Sequence, residues 1–267
     1  MNASEDDRTP GGVRVEAEDP VGSGVAVITV DRPAARNAIG FATVEELDSA
    51  LDKVAASGAA VLVIRGGGDR AFVSGGDLKE LAAIRTHADA VGMARRIRRL
   101  LDRVAGFPVP VIAALNGHAL GGGAEVAIAA DVRVAADDIK IGFNQVTLGI
   151  MPAWGGAERL ALTIGRGRAL LAIASGELYD APRAAELGIL DIVVPRPSFE
   201  DTWRSLAQGL AATAPGTTRA VKSVIAAATP MVHQDLEANA ADAFAELWVA
   251  EAHWAAVEAL EAKRRNK

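Results

Sequence analysis

Short apolar runs and amphipathic stretches follow one another through the first two hundred residues of the chain. Runs rich in β-branched residues predict buried strands, whereas the spacing of apolar residues between Thr43 and Ala56 is close to the helical period of about 3.6. The predicted strands are Val13–Ala17, Gly24–Val30, Ala60–Gly66, Val109–Leu115 and Asp131–Ala135, with a further short strand at the start of AFVSGGDL (71–78). Helices are also predicted up to about Ala105 and around Glu125. The order strand, strand, helix therefore recurs, which indicates an α/β fold.

The pattern changes near Ser198, where the chain becomes almost continuously helical, with breaks at Pro215-Gly216 and Thr229-Pro230. The first twelve residues are acidic and polar and resemble neither a secretory signal nor a strand. We therefore expect three regions: a flexible N-terminus at 1–12, a β/α core at 13–197, and a helical region at 198–267.

Composition narrows the classes of function. The 267 residues carry a net charge of −6 and contain no cysteine, which excludes disulfides, thiolate nucleophiles and cysteine metal sites. The four histidines are far apart, so no metal site is predicted, and the negative charge argues against a nucleic-acid partner. No apolar run approaches the about 18 residues of a membrane span. We expect a cytoplasmic protein, and we interpret the basic run at 95–100 as the solvated face of a helix.

The most informative segment is PVPVIAALNGHALGGGAEVAIAAD (108–131). Three consecutive glycines are unfavourable inside a helix or a strand, but they let a backbone come very close to another group. Free N–H groups at the start of a helix attract negative charge, and Glu125 follows two residues after the last glycine. The segment thus predicts a place where an oxyanion is held beside a proton carrier.

A second glycine-rich turn, Ser74–Asp77, also leads from a strand into a helix. If the two preceding strands are neighbours, both turns lie at one edge of a sheet, and each can offer one N–H to a single carbonyl oxygen. The alternative is that both are merely tight turns. Neither nucleotide-binding glycine pattern is present, and no G-x-S-x-G elbow supports a serine nucleophile.

Several motifs together resemble the crotonase (enoyl-CoA hydratase/isomerase) superfamily, from about residue 13 to residue 267. They are DRPAARNAI (31–39), AFVSGGDLKEL (71–81), PVIAALNGHALGGGAEVAIAAD (110–131) and IGFNQVTLGIMPAWGGAERL (141–160), together with the helical tail. The resemblance implies a core of repeated ββα units wound as a spiral, with C-terminal helices used for trimerisation.

The resemblance also implies the ligand, an acyl-CoA whose thioester oxygen lies between the backbone N–H groups of Ser74 and Gly122. Coenzyme A is then part of the substrate, and no tightly bound cofactor or metal is expected. Gly75, Gly76 and Asp77 would line the thioester and pantetheine.

Two further regions are implied to approach coenzyme A. Arg36 and Ala38 resemble the part of the family that lies near the adenine end, and Lys263 would contact the CoA of a neighbouring subunit. The expected assembly is a homotrimer or a dimer of trimers, without nucleic acid or membrane.

Hydratases of this superfamily use two glutamates, and Glu125 matches the first whereas Gln145 occupies the second position. An amide orients water or a carbonyl but is neither acid nor base at ordinary pH. The leading hypothesis is hydration with Glu125 carrying both proton transfers, or with Asp77, Asp137, Asp138 or Glu158 replacing the partner. An isomerase or a malonyl-type decarboxylase using Glu125 alone, and a CoA-binding protein without strong catalysis, remain the alternatives.

Two residues near these motifs are interpreted structurally. Trp154 is expected to be a packing residue rather than part of an acyl pocket. For His118 we expect a structural hydrogen bond rather than a catalytic role.

Overall fold

The computed structural model describes residues 12–17, 24–214, 216–228 and 234–265. These residues form strands β1 (Gly12–Ala17), β2 (Val25–Asp31), β3 (Val61–Gly66), β4 (Ala71–Val73), β5 (Val111–Leu115), β6 (His118–Leu120), β7 (Val132–Ala136), β8 (Lys140–Gly142), β9 (Tyr179–Asp180) and β10 (Ile192–Val194). The helices are α1 (Phe41–Ser57), α2 (Leu78–Leu81), α3 (His87–Ala105), α4 (Gly122–Ala129), α5 (Gly156–Ile164), α6 (Arg166–Ser175), α7 (Ala181–Leu187), α8 (Arg196–Ala211), α9 (Thr217–Ala228), α10 (Gln234–Val249) and α11 (Glu251–Arg265). Two 3₁₀ helices span Pro33–Ala35 and Asn144–Leu148.

The strands form two sheets, one of six strands in the order β1-β2-β3-β5-β7-β10 and one of four in the order β4-β6-β8-β9. Three successive strand pairs, β3–β4, β5–β6 and β7–β8, each place their first strand in the large sheet and their second in the small one. Within the large sheet only β1 is antiparallel to its neighbour. This winding is the repeated ββα spiral, so the predicted α/β fold class is confirmed.

Parallel pairing in the small sheet positions the two glycine-rich turns. β4 pairs with β6 in parallel, with Ala71 opposite His118 and Val73 opposite Ala119. Because parallel strands end at the same edge of a sheet, the turn after Val73 and the turn after Leu120 lie side by side. The sequence missed β6 as a separate strand, which has only three residues.

Helix α3 ends at Ala105, as predicted from the sequence, but the interpretation of its basic run is wrong in part. Arg98 is buried, at 5% exposure, and its guanidinium is 2.6 Å from the Glu158 carboxylate of α5. Arg99 on the same helix is exposed, as predicted. The amphipathic period fixes which face of a helix is buried, but a charged residue can lie on that face when a partner neutralises it.

The helical region begins at Arg196, two residues before the predicted boundary, and its first helix packs on the large sheet. Phe199 and Trp203 of α8 are fully buried in the core. Helix α10 lies along α3, and α11 contacts the 3₁₀ helix Asn144–Leu148. Among the described helices none is long and apolar enough to cross a membrane. The three-region division stays a prediction.

Two predictions fall at the margins of the described chain. The flexible N-terminus lies outside the described residues except for Gly12, which is already the first residue of β1. The predicted breaks at Pro215 and at Thr229-Pro230 also lie outside them.

Candidate active site

The glycine-rich turn after Leu120 leads into α4, whose first residue is Gly122. The carbonyl of Gly121 accepts hydrogen bonds from the N–H groups of Ala124 (3.0 Å) and Glu125 (3.2 Å), so it points into the helix. The C=O and N–H of one trans peptide point in opposite directions. The N–H of Gly122 therefore points out of the helix N-terminus, where the helix dipole favours negative charge.

The other glycine-rich turn, Ser74–Asp77, is fixed by a short parallel ladder with residues 36–39. Ile39 donates its N–H to the carbonyl of Gly75 (2.9 Å), and its own carbonyl accepts from the N–H of Asp77 (2.8 Å). By the same geometry of the trans peptide, the N–H of Gly76 points away from Ile39.

This ladder corrects one predicted donor. The N–H of Ser74 donates to the carbonyl of Arg36 at 3.2 Å, so it is already engaged within the protein. The prediction that Ser74 supplies an N–H to the ligand is at odds with this bond. Gly76, two residues further on, has no such bond to any described residue.

The indole of Trp154 lies against both turns. A Cβ on Gly122 would overlap the ring, and a Cβ on Gly76 would meet the ring edge at 3.6 Å. Gly122 and Gly76 therefore lie on one aromatic surface, close to each other. Trp154 is buried, as expected of a packing residue, and it also lines the cavity described below, which the sequence did not predict.

Glu125 lies one turn into α4 and is only 2% exposed. One carboxylate oxygen, Oε2, accepts the N–H groups of Trp154 (2.8 Å) and Gly156 (2.9 Å). The other oxygen, Oε1, accepts from the Nε2 of Gln145 at 2.9 Å. The side chain is thus fully oriented by hydrogen bonds, with different partners on its two oxygens.

Burial is the main influence on the acidity of this group. Desolvation disfavours the carboxylate and raises the pKa of Glu125 to about 7, with a smaller rise from the charge of Glu158. The N–H groups of Gly156 and Trp154 and the charge of Arg159 act in the opposite direction. A carboxyl group with this pKa exchanges protons readily near neutral pH.

Gln145 is itself buried and lies in the 3₁₀ helix that follows β8. Its amide nitrogen is bonded to Glu125, whereas its amide oxygen has no hydrogen-bond partner among the described residues. Buried polar atoms are normally paired, so this oxygen has the capacity to accept one more hydrogen.

A cavity of about 570 Å³ joins these elements. Glu125 is the only carboxylate among the described residues that line it, and Lys263 is the only cation. Its apolar side chains come from the core and from α10 and α11. The larger ones are Leu78, Leu81, Met93, Leu120, Leu148, Ile150, Met151, Trp154, Phe244, Trp248 and Leu260.

Seven of the predicted site residues line this cavity: Ser74, Gly75, Gly76, Gly122, Glu125, Gln145 and Lys263. Lys263 lines the cavity of its own chain, whereas the resemblance had placed it against a neighbour's ligand. Arg36, Ala38 and Asp77 are not among the lining residues. Asp77 instead forms a 2.9 Å ion pair with Arg32.

None of the candidate replacements for the second glutamate lines the cavity. Asp138 pairs with Arg196, Asp137 accepts the N–H of Arg196 at 3.2 Å, and Glu158 pairs with Arg98. Of these carboxylates only Glu158 influences the pKa of Glu125. Within the described ranges no group of three or more His, Asp or Glu side chains is placed to hold a metal ion.

His118 makes the structural hydrogen bond expected of it, because its Nδ1 accepts the N–H of Lys140 at 3.0 Å. The sequence missed two other contributions to the site. The backbone N–H groups of Trp154 and Gly156 carry no signature in side chains, and the positions of Phe244 and Trp248 depend on how α10 packs on α3. The only sequence signal for these two side chains was that they are aromatic residues in a mostly aliphatic helical region.

Comparison with known proteins identifies the family. The sequence model described as enoyl-CoA hydratase/isomerase matches residues 21–264. The chain belongs to this family. It is 39% identical over 168 residues to a probable enoyl-CoA hydratase of Bacillus subtilis (strain 168). This alignment covers 63% of this chain and 65% of that relative, so the chain spans slightly under two thirds of the relative's length.

Two further family members extend the similarity over more of the chain. An enoyl-CoA isomerase/hydratase of Mycosarcoma maydis is 36% identical over 213 residues, covering 76% of this chain and 77% of its own. The crystal structure of an enoyl-CoA hydratase from Bacillus anthracis matches with a TM-score of 0.78 and 31% identity, covering 94% of this chain and 96% of that one. The enoyl-CoA hydratase/isomerase family acts on CoA thioesters, and membership supports an enzyme of the lyase or isomerase kind.

Proposed function

We propose that the protein is an acyl-CoA enzyme that adds water reversibly to a 2-enoyl-CoA. The observation that carries this proposal is the buried carboxylate of Glu125 beside the N-terminus of α4, within a cavity whose other described lining groups are apolar groups, amides, two hydroxyls and one lysine. The N–H groups of Gly122 and Gly76 would hold the thioester oxygen, because both point out of their turns and both glycines lie on the ring of Trp154. Preorganised donors of this kind each lower the barrier by about 3 kcal/mol.

Glu125 would carry both proton transfers. Its carboxylate takes one proton from water as the oxygen adds to the β-carbon, and the negative charge moves to the thioester oxygen. The protonated Glu125 then returns this proton to the α-carbon, which restores the carboxylate and completes the addition of one water. The amide oxygen of Gln145, which has no described partner, would accept the other hydrogen of the water and hold it in place.

An isomerase is the second candidate, and the pairing of Glu125 with an amide instead of a second carboxylate favours it. Moving a double bond needs removal of one proton and its return at another carbon, which a single carboxyl group of pKa about 7 can perform. A malonyl-type decarboxylase would need only the acid form of Glu125, to protonate the enolate left by loss of CO₂.

The test is an assay with three substrates. Crotonyl-CoA should lose its enoyl thioester absorbance with the wild-type protein, and Glu125→Gln should abolish this loss, whereas Glu186→Gln, an exposed position on α7, should not. No loss of absorbance at high enzyme concentration, together with turnover of a 3-enoyl-CoA or CO₂ release from methylmalonyl-CoA, would replace hydration by the corresponding alternative. Binding of CoA thioesters without any turnover would leave only the CoA-binding alternative.

Lys263 is proposed to contact the phosphates of coenzyme A. It is exposed and cationic at the cavity, and CoA carries several negative charges. Arg36 and Ala38 are proposed for the adenine end, as the family resemblance implies.

A homotrimer or dimer of trimers is proposed for the assembly. Leu162 of α5 and Val221 and Ile225 of α9 are exposed and line one open groove of about 830 Å³. Exposed apolar surface of this kind marks interaction sites. Light scattering should show the trimer mass, and Ile225→Asp should lower it, whereas Leu247→Asp on α10 should not.

A further inference from the structure

The turn that holds Glu125 is itself held from behind by Arg159. Arg159 donates from Nη1 to the carbonyl of Trp154 at 2.9 Å, and its other terminal nitrogen, Nη2, pairs with Asp102 of α3. Between Trp154 and Gly156 the chain passes through Gly155 with a φ of +87°, and the guanidinium packs so closely there that a Cβ would collide with it. Only glycine combines this φ with such an approach.

Arg159 belongs to a cluster of two arginines and two carboxylates between α3 and α5. Arg98 is 2.6 Å from Glu158 and 3.6 Å from Asp102, and Asp102 also pairs with Arg159. Both guanidinium groups are largely buried. Removing a carboxylate would be costly, because it leaves a guanidinium without compensation in a poorly solvated place, whereas Asp102 is 46% exposed.

The cluster provides the charged groups that face Glu125. From α5 these are Glu158, which raises the pKa of Glu125, and Arg159, which lowers it. Helix α3 contributes their partners, Arg98 beside Glu158 and Asp102 beside Arg159. Of the strands packed against α4, β4 has no ionisable side chain and β6 has only the exposed His118.

We propose that Arg159 is a positioning residue for Glu125, which decides the carboxylate oxygen on which the proton is exchanged. By fixing the carbonyl of Trp154, it aims the N–H groups of Trp154 and Gly156 at Oε2. With Oε2 occupied by two donors, the proton comes and goes at Oε1, the oxygen beside Gln145. The inference rests on the proposed acid–base function of Glu125.

The test compares Arg159→Gln, Arg159→Lys and the control Arg99→Gln, which changes an exposed arginine of α3. Circular dichroism checks folding, steady-state kinetics gives kcat and KM, and infrared difference spectra against Glu125→Gln follow the titration of the Glu125 carboxyl. In Arg159→Gln the titration should move up by about one pH unit, since a nearby cation is lost and the N–H bonds to Oε2 loosen. At pH 7 its kcat should fall about fivefold with little change in KM, since the ionised fraction of Glu125 would drop from about one half to about one tenth.

The conservative variant separates charge from geometry. Lysine keeps the charge but loses the planar fork that reaches both Trp154 and Asp102, so Arg159→Lys should lie between wild type and Arg159→Gln in titration and kcat. A folded Arg159→Gln with the titration and kcat of the wild type would overturn the inference. If Arg159→Gln does not fold, a folded Arg159→Lys with the titration and kcat of the wild type would overturn the inference.

Failure of the proposed function gives a different result. If Glu125→Gln keeps full turnover, Glu125 is not the acid–base group. The infrared titration of Glu125 in the Arg159 variants still shows whether Arg159 positions the carboxyl, because it does not depend on turnover.

Discussion

Gln145 donates its amide hydrogen to Glu125 at 2.9 Å while its own amide oxygen has no partner among the described residues. The amide thus stabilises the ionised form of Glu125 through one end and leaves an acceptor buried at the other. If Glu125 is protonated on Oε1, a rotated amide can accept that proton instead. The pair therefore has one arrangement for each protonation state of the carboxyl.

The direction of the pH dependence should distinguish the reactions. The pKa of Glu125 is raised to about 7, so kcat should change steeply around this pH. Hydration or isomerisation starts with the carboxylate as base, so activity should rise as pH increases through 7. A decarboxylase that needs the protonated form should lose activity over the same range. A flat profile from pH 5.5 to 8.5 would contradict a role for Glu125 in a rate-limiting proton transfer.

Glu125→Gln should stabilise the fold at high pH. A carboxyl whose folded pKa is raised above its ordinary value near 4.5 binds protons more tightly in the folded protein, so its contribution to stability is present at low pH and is lost as pH rises to 7. At about 1.4 kcal/mol per pKa unit, the loss is about 3 kcal/mol at pH 8.5. The neutral amide avoids this loss, and its NH₂ can donate to the amide oxygen of Gln145.

Urea denaturation of both proteins at pH 4.5 and pH 8.5 measures this difference. The variant should be more stable at pH 8.5 and close to wild type at pH 4.5. An equal difference at the two pH values would show that Glu125 is not the source.

Gln145→Glu should raise the rate of hydration. It would place a second carboxyl within hydrogen-bond reach of Glu125, where two such groups share one proton and titrate as a pair. An acid–base partner of this kind contributes about 10²-fold or more, so crotonyl-CoA hydration should increase at least about tenfold. The control is Asn144→Asp, which adds the same charge at the neighbouring residue. A gain in Asn144→Asp as large as in Gln145→Glu would assign the effect to charge alone.

The two glycines on Trp154 should differ in their tolerance of a methyl group. In Gly122→Ala the new Cβ overlaps the rigid indole, whereas in Gly76→Ala it meets the flexible end of Leu81 at 2.8 Å. Displacing one oxyanion donor costs about 10²-fold in kcat, so this loss is expected for Gly122→Ala and a smaller one for Gly76→Ala. Kinetics with circular dichroism as a folding check measures both; the reverse order would argue against the proposed roles.

Lys263→Glu should weaken binding without altering the chemistry. Lys263 is exposed and far from the reacting carbons if it meets the CoA phosphates, so KM should rise about tenfold with kcat unchanged. The increase should shrink at high salt, because exposed charges are screened. Arg265→Glu makes the same charge change on the same helix outside the cavity, and an equal effect there would indicate a general charge effect.

Much of the site could be predicted because it lies on strands and turns with strong local signatures. The glycines at 121–123, Glu125 and the Ser74–Asp77 turn are local features, and parallel pairing of β4 with β6 brings them together. That the N–H of Ser74 is engaged while that of Gly76 is not could not be predicted, because the direction of one peptide depends on the ladder with residues 36–39. The burial of Arg98 and the packing of α10 on α3 likewise depend on partners distant in the sequence.

The cavity brings together Gly75, near the start of the spiral, and Lys263 of α11, so it is complete only when parts of the chain that are far apart in sequence are in contact. Contacts of this kind form slowly, because a long loop must close before they stabilise the fold. Helices and paired strands would therefore be recovered before the ability to bind a thioester during refolding. The proposed turnover would then mark the last stage of assembly, because the cavity is complete only once α10 and α11 have packed.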